Sequence, residues 1–594
     1  MANPLLDDRT VDFLLYEVFD VERLTELAAF REHSRETFDM YLGACRKLAR
    51  ERLFPSYRAI DEAPPRLEGG RVKVHPVLRE LYPKMAELGL LNATRPEAVG
   101  GQQLPAAVAS LSNAYLMAAN LSAYAYAGLT SSAARLIESF GSDALREEYM
   151  QRMYAGEWTG TMALTEPQAG SSLSDVKTRA TPTEGAHYSM RGSKIFISGG
   201  DQDMTENIVH MVLARIDGAP PGVKGISLFV VPALRSEGGK LVPNDTAAAG
   251  VIHKIGWKGI PSIALNLGDN GDCHGYLVGE AHRGLTYMFQ MMNEARLMVG
   301  LNGVSTASVA YQEALEYAKT RPQGRPARNK NPEAPQVPLV EHADVRRMLL
   351  RQKAIVEGGL ALLCYASRAQ DLAEHAASPD ERREHQLLLD LLTPVAKSFP
   401  AERGFESNTL SVQVHGGYGY SSEYLPEAWL RDQKLNSLHE GTTGIQSIDL
   451  LGRKVSLHGG VALELLGREI GRAVAQARAA KVDAAWCDAV ERAFRTTRDV
   501  TAFLSSLGNP EATLLHSVDY LDLFSTLIVG WMWLLQSIAA KNALARSPID
   551  TTLYEGKLCA AQYFILTELP RVELLAALCR SGEDSYGRIH PEWF

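Results

Sequence analysis

The spacing of apolar residues changes period twice along this chain, and that change restricts the fold more than any other feature. From about residue 11 to residue 156 apolar residues recur three and four apart, as in FREHSRETFDMYLGACRKLARERLF and HPVLRELYPKMAELGLL. Breaks fall at 63–65 (APP) and 99–101 (VGG). From residue 158 to about 278 the period drops towards two, in short runs such as HYSMRGSKIFISGG, NIVHMVLARID and GISLFVVPAL, bounded by Gly, Pro, Asp and Asn. After residue 284 the helical period returns in a long proline-free segment rich in Met and Ala. The expectation is an α+β, mostly helical protein: an N-terminal helical domain (1–157), a central β-sandwich or barrel (158–280), a four-helix bundle (281–455) and an additional helical domain (456–594). Residues 321–338, RPQGRPARNKNPEAPQVP, cannot be helical and should form an exposed loop whose basic charges face phosphate or water. No internal repeat or low-complexity tract is visible.

With 594 residues, 46% of them hydrophobic and 22% charged, the chain can bury roughly three or four cores. A formal charge of -9 with both signs interspersed supplies no basic face, so nucleic acid is not expected as a partner. Six cysteines, Cys45, Cys273, Cys364, Cys487, Cys559 and Cys579, form no CxxC pair and lie near no histidine at ligand spacing. They read as reduced core thiols of a cytoplasmic protein, with no metal site. The start of the chain is acidic before its apolar stretch, unlike an export signal. The stretch 523–540, LFSTLIVGWMWLLQSIAA, approaches spanning length but carries Ser525, Thr526, Gln536 and Ser537 and lacks basic flanks. It reads as a buried core helix, with contact to a membrane surface as the alternative.

Three blocks carry chemistry. In MALTEPQAGSS (162–172), Pro167 and Gly170 set a turn whose N–H groups can meet phosphate, and Thr165 and Ser171 add hydroxyls. In KIFISGG (194–200), strand alternation puts Phe196 and Ser198 on one face. The longest block is QVHGGYGYSSEYLPEAWLRDQKLNSLHEGTTGIQ (413–446). Together they resemble the acyl-CoA dehydrogenase family, in particular its long forms with an extra C-terminal helical domain, such as the very long-chain and 3-methylmercaptopropionyl-CoA dehydrogenases.

The resemblance implies that family's fold and FAD as cofactor. It implies cofactor contacts from Met162, Leu164, Thr165, Ser171, Phe196, Ser198, Arg321, Gln413, Gly416, Gly417, Thr442 and Gly444, with Arg325 competing with Arg321. Substrate contacts are implied for Ser171, Asn293, Arg296 and Gly441. Arg296 is either a ligand or active-site brace or an ion-paired core arginine. Glu440 is implied as the base that takes the α proton of an acyl-CoA while flavin N5 takes the β hydride. The block departs from the family pattern at Ser172, where Asp is usual, at Gly444, where Gln is common, and after Arg321, where a Phe is missing. The implied reaction is the first step of fatty acid β-oxidation on a medium- to long-chain acyl-CoA, with electron-transferring flavoprotein as acceptor and a homodimer as the working form. Alternatives are a short specialised substrate such as 3-methylthiopropionyl-CoA, an acyl-CoA oxidase, or a flavin-containing module that binds nucleic acid or protein.

Overall fold

The computed structural model describes residues 3–594, apart from the side chains of residues 289–292. The chain divides into two compact units. One comprises Met1–Leu42, Pro105–Ala118 and Arg296–Phe594; the other comprises Gly43–Leu104 and Ala119–Ala295.

The first unit is helical. The Ala- and Met-rich segment forms one helix, Gly284–Thr320, which enters this unit at Arg296. Helices Ala343–His375 and Pro379–His415 follow as a pair, the second opened by the Ser378 hydroxyl, which accepts the Glu381 N–H, and by Pro379 at its first position. Small residues let these backbones approach closely. A Cβ on Gly300 would lie 2.0 Å from the Ala396 carbonyl oxygen, and one on Gly303 2.8 Å from that of Pro400. Pro400 has no N–H to close a helical bond to Ala396, so its position inside Pro379–His415 loosens the ladder where the two helices touch.

The apolar stretch near the C-terminus is the core of this unit. Helix Ser517–Ala545 has 89% of its most apolar window buried, and Leu523, Phe524, Leu527, Ile528 and Trp533 are fully enclosed. Helices Val461–Ala479, Ala484–Ser506, Thr552–Tyr563 and Arg571–Arg580 pack around it. Each enclosed apolar side chain contributes about 1.5–3 kcal/mol by leaving water, and this helix finds that burial inside the protein. Of the six thiols, five are buried, but Cys559 is exposed on the outer face of Thr552–Tyr563, so the expectation of six core thiols fails at that position.

The N–H groups that open helix Ala106–Phe140 are held by a side chain far along the chain. Asp371 accepts Ala106 N–H at 2.6 Å and Ala107 N–H at 3.0 Å. Replacing Asp371 by Ala leaves one buried and one partly buried donor at a helix start without their acceptor, and unfolding in urea should show a loss of about 1–2 kcal/mol.

The second unit is built on strands. Tyr188–Ser198 pairs with His274–Leu277, that strand with Ile226–Pro232, that with Ile208–Ile216, and Ile208–Ile216 with Arg179–Pro182, which returns to Tyr188–Ser198. The path closes on itself, so of the two expected forms the β region is a small barrel, extended by Ser262–Leu267, Thr246–Val251 and Thr159–Ala163. Every residue of Ile226–Pro232 is buried, which accounts for its unbroken apolar run. A further hairpin, Arg66–Glu68 with Arg71–Lys73, interrupts the segment expected to be helical. Gly69 and Gly70, both at positive φ, supply its two-residue turn. Helix Ala106–Phe140 breaks at Asn120, whose side chain accepts the Ala123 N–H at 3.1 Å and so restarts the helix, close to where the chain passes from one unit to the other.

Candidate active site

Glu440 lies in the tight turn between Leu435–Ser437 and helix Thr443–Gly452. Its φ is 54°, a left-handed conformation that a non-glycine residue adopts only when its surroundings impose it, and Gly441 follows at 88°. The imposing groups are identifiable. Gln446 donates to the Glu440 carbonyl at 3.0 Å, and the Lys397 ammonium donates to the Gly441 carbonyl at 2.9 Å. Thr442 caps the following helix by accepting the Ile445 N–H at 3.3 Å, and Thr443 donates to Glu402. A Cβ on Gly441 would lie 2.7 Å from Gln446 Nε2 and would push that amide off the Glu440 carbonyl, in addition to the strain of a side chain at this φ.

The Glu440 side chain is half-buried, reachable from outside yet crowded by protein. Loss of water raises its pKa above the ordinary carboxylate value, and the nearby charges of Arg296 and Lys397 oppose the rise. His439 is driven down to about 4 by burial, so it is neutral at physiological pH, its Nδ1 donating to the Leu435 carbonyl at 2.8 Å. Among the described residues the Glu440 N–H has no hydrogen-bond partner, which leaves it available to an oxygen of a ligand. Arg296 is buried and ion-paired to Asp449 at 2.7 Å, and Asp449 also holds Arg453. Of the two readings left open for it, the structure shows the ion pair, with the guanidinium close enough to bear on Glu440. Asn293 is half-buried in the other unit.

In that unit the TEPQAGSS block follows strand Thr159–Ala163 and folds on itself through reciprocal bonds between Glu166 and Ala169. Gly170 and Ser171 are exposed, and a Cβ on Gly170 would meet nothing. Met162, Leu164 and Thr165 are half-buried. The block is tied to KIFISGG by the Thr165 carbonyl, which accepts the Ile195 N–H at 2.9 Å, and by Lys194, whose ammonium reaches the Leu164 carbonyl at 3.1 Å and Glu166 at 2.8 Å.

Simple alternation would place Lys194, Phe196 and Ser198 on one face. It does not hold here: the register against Ser262–Leu267 shifts between Ile263 and Leu265, a bulge that leaves Lys194 inside and turns Phe196 out, with φ of 60° and 60% of its surface exposed. Ser198, beyond the bulge, is half-buried. An exposed aromatic held on a strained bulge beside an open glycine turn suits a flat conjugated ring and its phosphate tail.

The Gln413–Gly417 segment ends helix Pro379–His415. Gly416 has φ of 61°, and at Gly416 and Gly417 a Cβ would meet no atom; Gln413, Tyr418 and Tyr420 are exposed beside them. Arg321 is exposed with its guanidinium 5.6 Å from the Tyr418 ring centre. Arg325 instead spends its donors on the carbonyls of Pro332 and Ala334, bracing the 321–338 loop, which is stitched by paired backbone bonds between Gln323, Gly324 and Val337. Arg321 is therefore the freer of the two for an anionic ligand. Gly444 is open, a Cβ there meeting only the Thr442 hydroxyl at 3.8 Å.

Known sequences place these features. The acyl-CoA dehydrogenase N-terminal domain matches residues 35–157, the middle domain 161–262, the C-terminal domain 282–456, and the acetyl-CoA dehydrogenase C-terminal-like domain 466–589. The chain belongs to the acyl-CoA dehydrogenase family. The 3-methylmercaptopropionyl-CoA dehydrogenase of Ruegeria pomeroyi is 37% identical over 92% of this chain and 94% of its own length. A butyryl-CoA dehydrogenase of Syntrophomonas wolfei is 32% identical over 96% of both chains. The structure of Caenorhabditis elegans ACDH-11 in complex with C11-CoA superposes with a TM-score of 0.76, covering 97% of this chain and 95% of that one at 20% identity, a likeness of fold.

As an acyl-CoA dehydrogenase this chain is an oxidoreductase acting on a CH–CH bond of an acyl-CoA, and FAD is its cofactor. The exposed Phe196, the open turns at Gly170 and Gly416–Gly417 and the uncommitted Arg321 fit that cofactor. Sequence reasoning passed over Glu166, Lys194, Lys397, Glu402, Gln446 and Asp449. Glu166 and Lys194 stood inside the quoted blocks, and two opposite charges in otherwise apolar strand-and-turn segments were a readable sign of a buried pair.

Proposed function

We propose that the protein dehydrogenates an unbranched acyl-CoA between its α and β carbons, with Glu440 removing the α proton. The observation that supports this most directly is the Glu440 turn: a carboxylate fixed at positive φ, half-buried beside two cations, with its own N–H unclaimed. A thioester α C–H is a very weak acid, so its removal needs a base freed from water and a donor for the thioester oxygen. Glu440 supplies the first through its carboxylate and the second through its N–H. Gly441 leaves room beside both. Bound FAD supplies the acceptor for the hydride leaving the β carbon. The residues proposed to contact it are Met162, Leu164, Thr165, Ser171, Phe196, Ser198, Arg321, Gln413, Gly416, Gly417, Thr442 and Gly444. Electron-transferring flavoprotein is the acceptor in this reading, and a cytoplasmic homodimer the working form. The exposed Gly416–Tyr420 turn, which presents open backbone and two tyrosines, supports a partner subunit.

A medium to long chain is the expectation from sequence. A short straight acyl group is favoured by the specificities in the names of the two relatives, 3-methylmercaptopropionyl and butyryl. Anaerobic bleaching of the flavin band by butyryl-, 3-methylthiopropionyl-, octanoyl- and palmitoyl-CoA separates the two. Fastest bleaching with the first two assigns the short substrate, a rise towards palmitoyl assigns the long one, and no bleaching with any thioester removes the dehydrogenase reading of this site. Peroxide formed in stoichiometric yield on admitting air would favour an oxidase.

A further inference from the structure

Lys397 is a cation that the fold has no evident need for. It projects from helix Pro379–His415 between Pro394 and Pro400 and is fully buried. Among the described residues it forms no ion pair, and its one hydrogen bond is to the Gly441 carbonyl at 2.9 Å. Isolating an ammonium from water without a counter-ion in contact costs several kcal/mol, so a residue that only filled this space would be apolar. Its place is fixed from behind: the Ala396 carbonyl next to it lies against Gly300, where no Cβ could fit.

The charges around the Glu440 turn are unequal in what they offer. Arg296, on Gly284–Thr320, is committed to Asp449 of Thr443–Gly452, which also holds Arg453. Glu402, five residues beyond Lys397 on the same helix, accepts from the Thr443 hydroxyl. His439 is neutral, its ring bonded to the Leu435 carbonyl. Lys397 is thus the buried cation near Glu440 whose charge no carboxylate in contact cancels.

We propose that Lys397 is a positioning residue for the Glu440 base, its ammonium fixing the turn through the Gly441 carbonyl and supplying a counter-charge to a carboxylate that the protein partly shields from water. The inference rests on Glu440 being the base. It is supported by the mutual influence of the two groups: burial lowers the Lys397 pKa to about 8, with Glu402 and Glu440 opposing, and the Lys397 charge in turn restrains the rise at Glu440. Removing the charge lets the Glu440 pKa climb, so the base is ionised only at higher pH and the acid limb of the rate profile moves up.

Three variants divide the roles: Lys397→Met removes bond and charge, Lys397→Gln keeps a donor without the charge, and Lys397→Arg keeps both. Each is compared as the FAD-loaded protein, with flavin content and thermal midpoint as controls on folding, by following anaerobic flavin bleaching from about pH 6 to pH 9. Lys397→Met should move the acid limb up by about one unit and lower the limiting rate about tenfold, with KM changed little. Lys397→Gln should recover most of the limiting rate while keeping the displaced limb, and Lys397→Arg should return the limb towards its original place. An acid limb unmoved in both neutral variants overturns the proposal. So does failure of both neutral variants to fold or to hold FAD while the Arg variant does, because Lys397 would then be a strut alone. Glu440→Gln, run alongside, separates the two ideas: if it bleaches like the unaltered protein, the assignment of the base fails first, whatever the Lys397 variants do.

Discussion

Glu440→Gln should abolish flavin bleaching by acyl-CoA, a loss of about 10³-fold or more, while the protein stays folded and yellow. The size of the effect follows from the chemistry. The amide matches the carboxylate in shape and keeps the backbone N–H, so binding of the thioester and retention of FAD should change little. What disappears is the only group in the turn that can accept a proton at neutral pH. His439 cannot replace it: burial lowers its pKa to about 4, and its Nδ1 is already committed to the Leu435 carbonyl. Lys397 is protonated below about pH 8 and tied to Gly441. The unaltered protein should lose activity as pH falls through the Glu440 pKa, and that limb should lie above the ordinary carboxylate range because burial raises it. Bleaching by Glu440→Gln within tenfold of the unaltered rate would move the base to another residue.

The Glu440 turn was legible because its whole signature is contiguous: a Glu before Gly-Thr, in a block running unbroken from residue 413 to residue 446. The order of helical, strand and helical regions was legible from periodicity for a similar reason, since each period persists over many residues. What escaped was non-local or depended on one residue of register. Nothing in the helical pattern around Lys397 tells that it meets Gly441, because a lysine at that spacing reads equally as a solvated face. The bulge between Lys194 and Ile197 inverts the facing of Phe196, and a period-two pattern cannot announce an inserted residue. The 66–73 hairpin carried its own signal, Gly69-Gly70 between two short polar strands, but it sat within a segment assigned by its flanking helices.

Breaking the Glu166–Lys194 pair should be the most damaging change in the barrel unit, with either single substitution, Glu166→Gln or Lys194→Met, costing about 3–5 kcal/mol in urea unfolding. The pair is buried and its atoms are 2.8 Å apart. Glu166 also accepts the Lys177 N–H at 2.7 Å, the Thr178 N–H at 2.9 Å and the Thr178 hydroxyl at 2.5 Å. The ammonium bonds the Leu164 carbonyl at 3.1 Å and the Leu213 carbonyl at 2.7 Å. Removing one partner therefore strands the other, charged, away from water, and the double variant should be less destabilised than the sum of the two singles. The same bonds hold the TEPQAGSS turn against the strand that carries Phe196, so each single variant should also lose FAD more readily on dilution. Burial alone would raise the Glu166 pKa, but Lys194 and the surrounding donors hold it down to about 2. A depressed carboxyl pKa gives stability that is present above the unfolded value near about 4.3 and is lost as pH falls below it, so the difference between the unaltered protein and Glu166→Gln should shrink on acidification. A Glu166→Gln protein that unfolds at the same urea concentration and keeps its flavin would show that the turn is held by its backbone bonds and not by this charge.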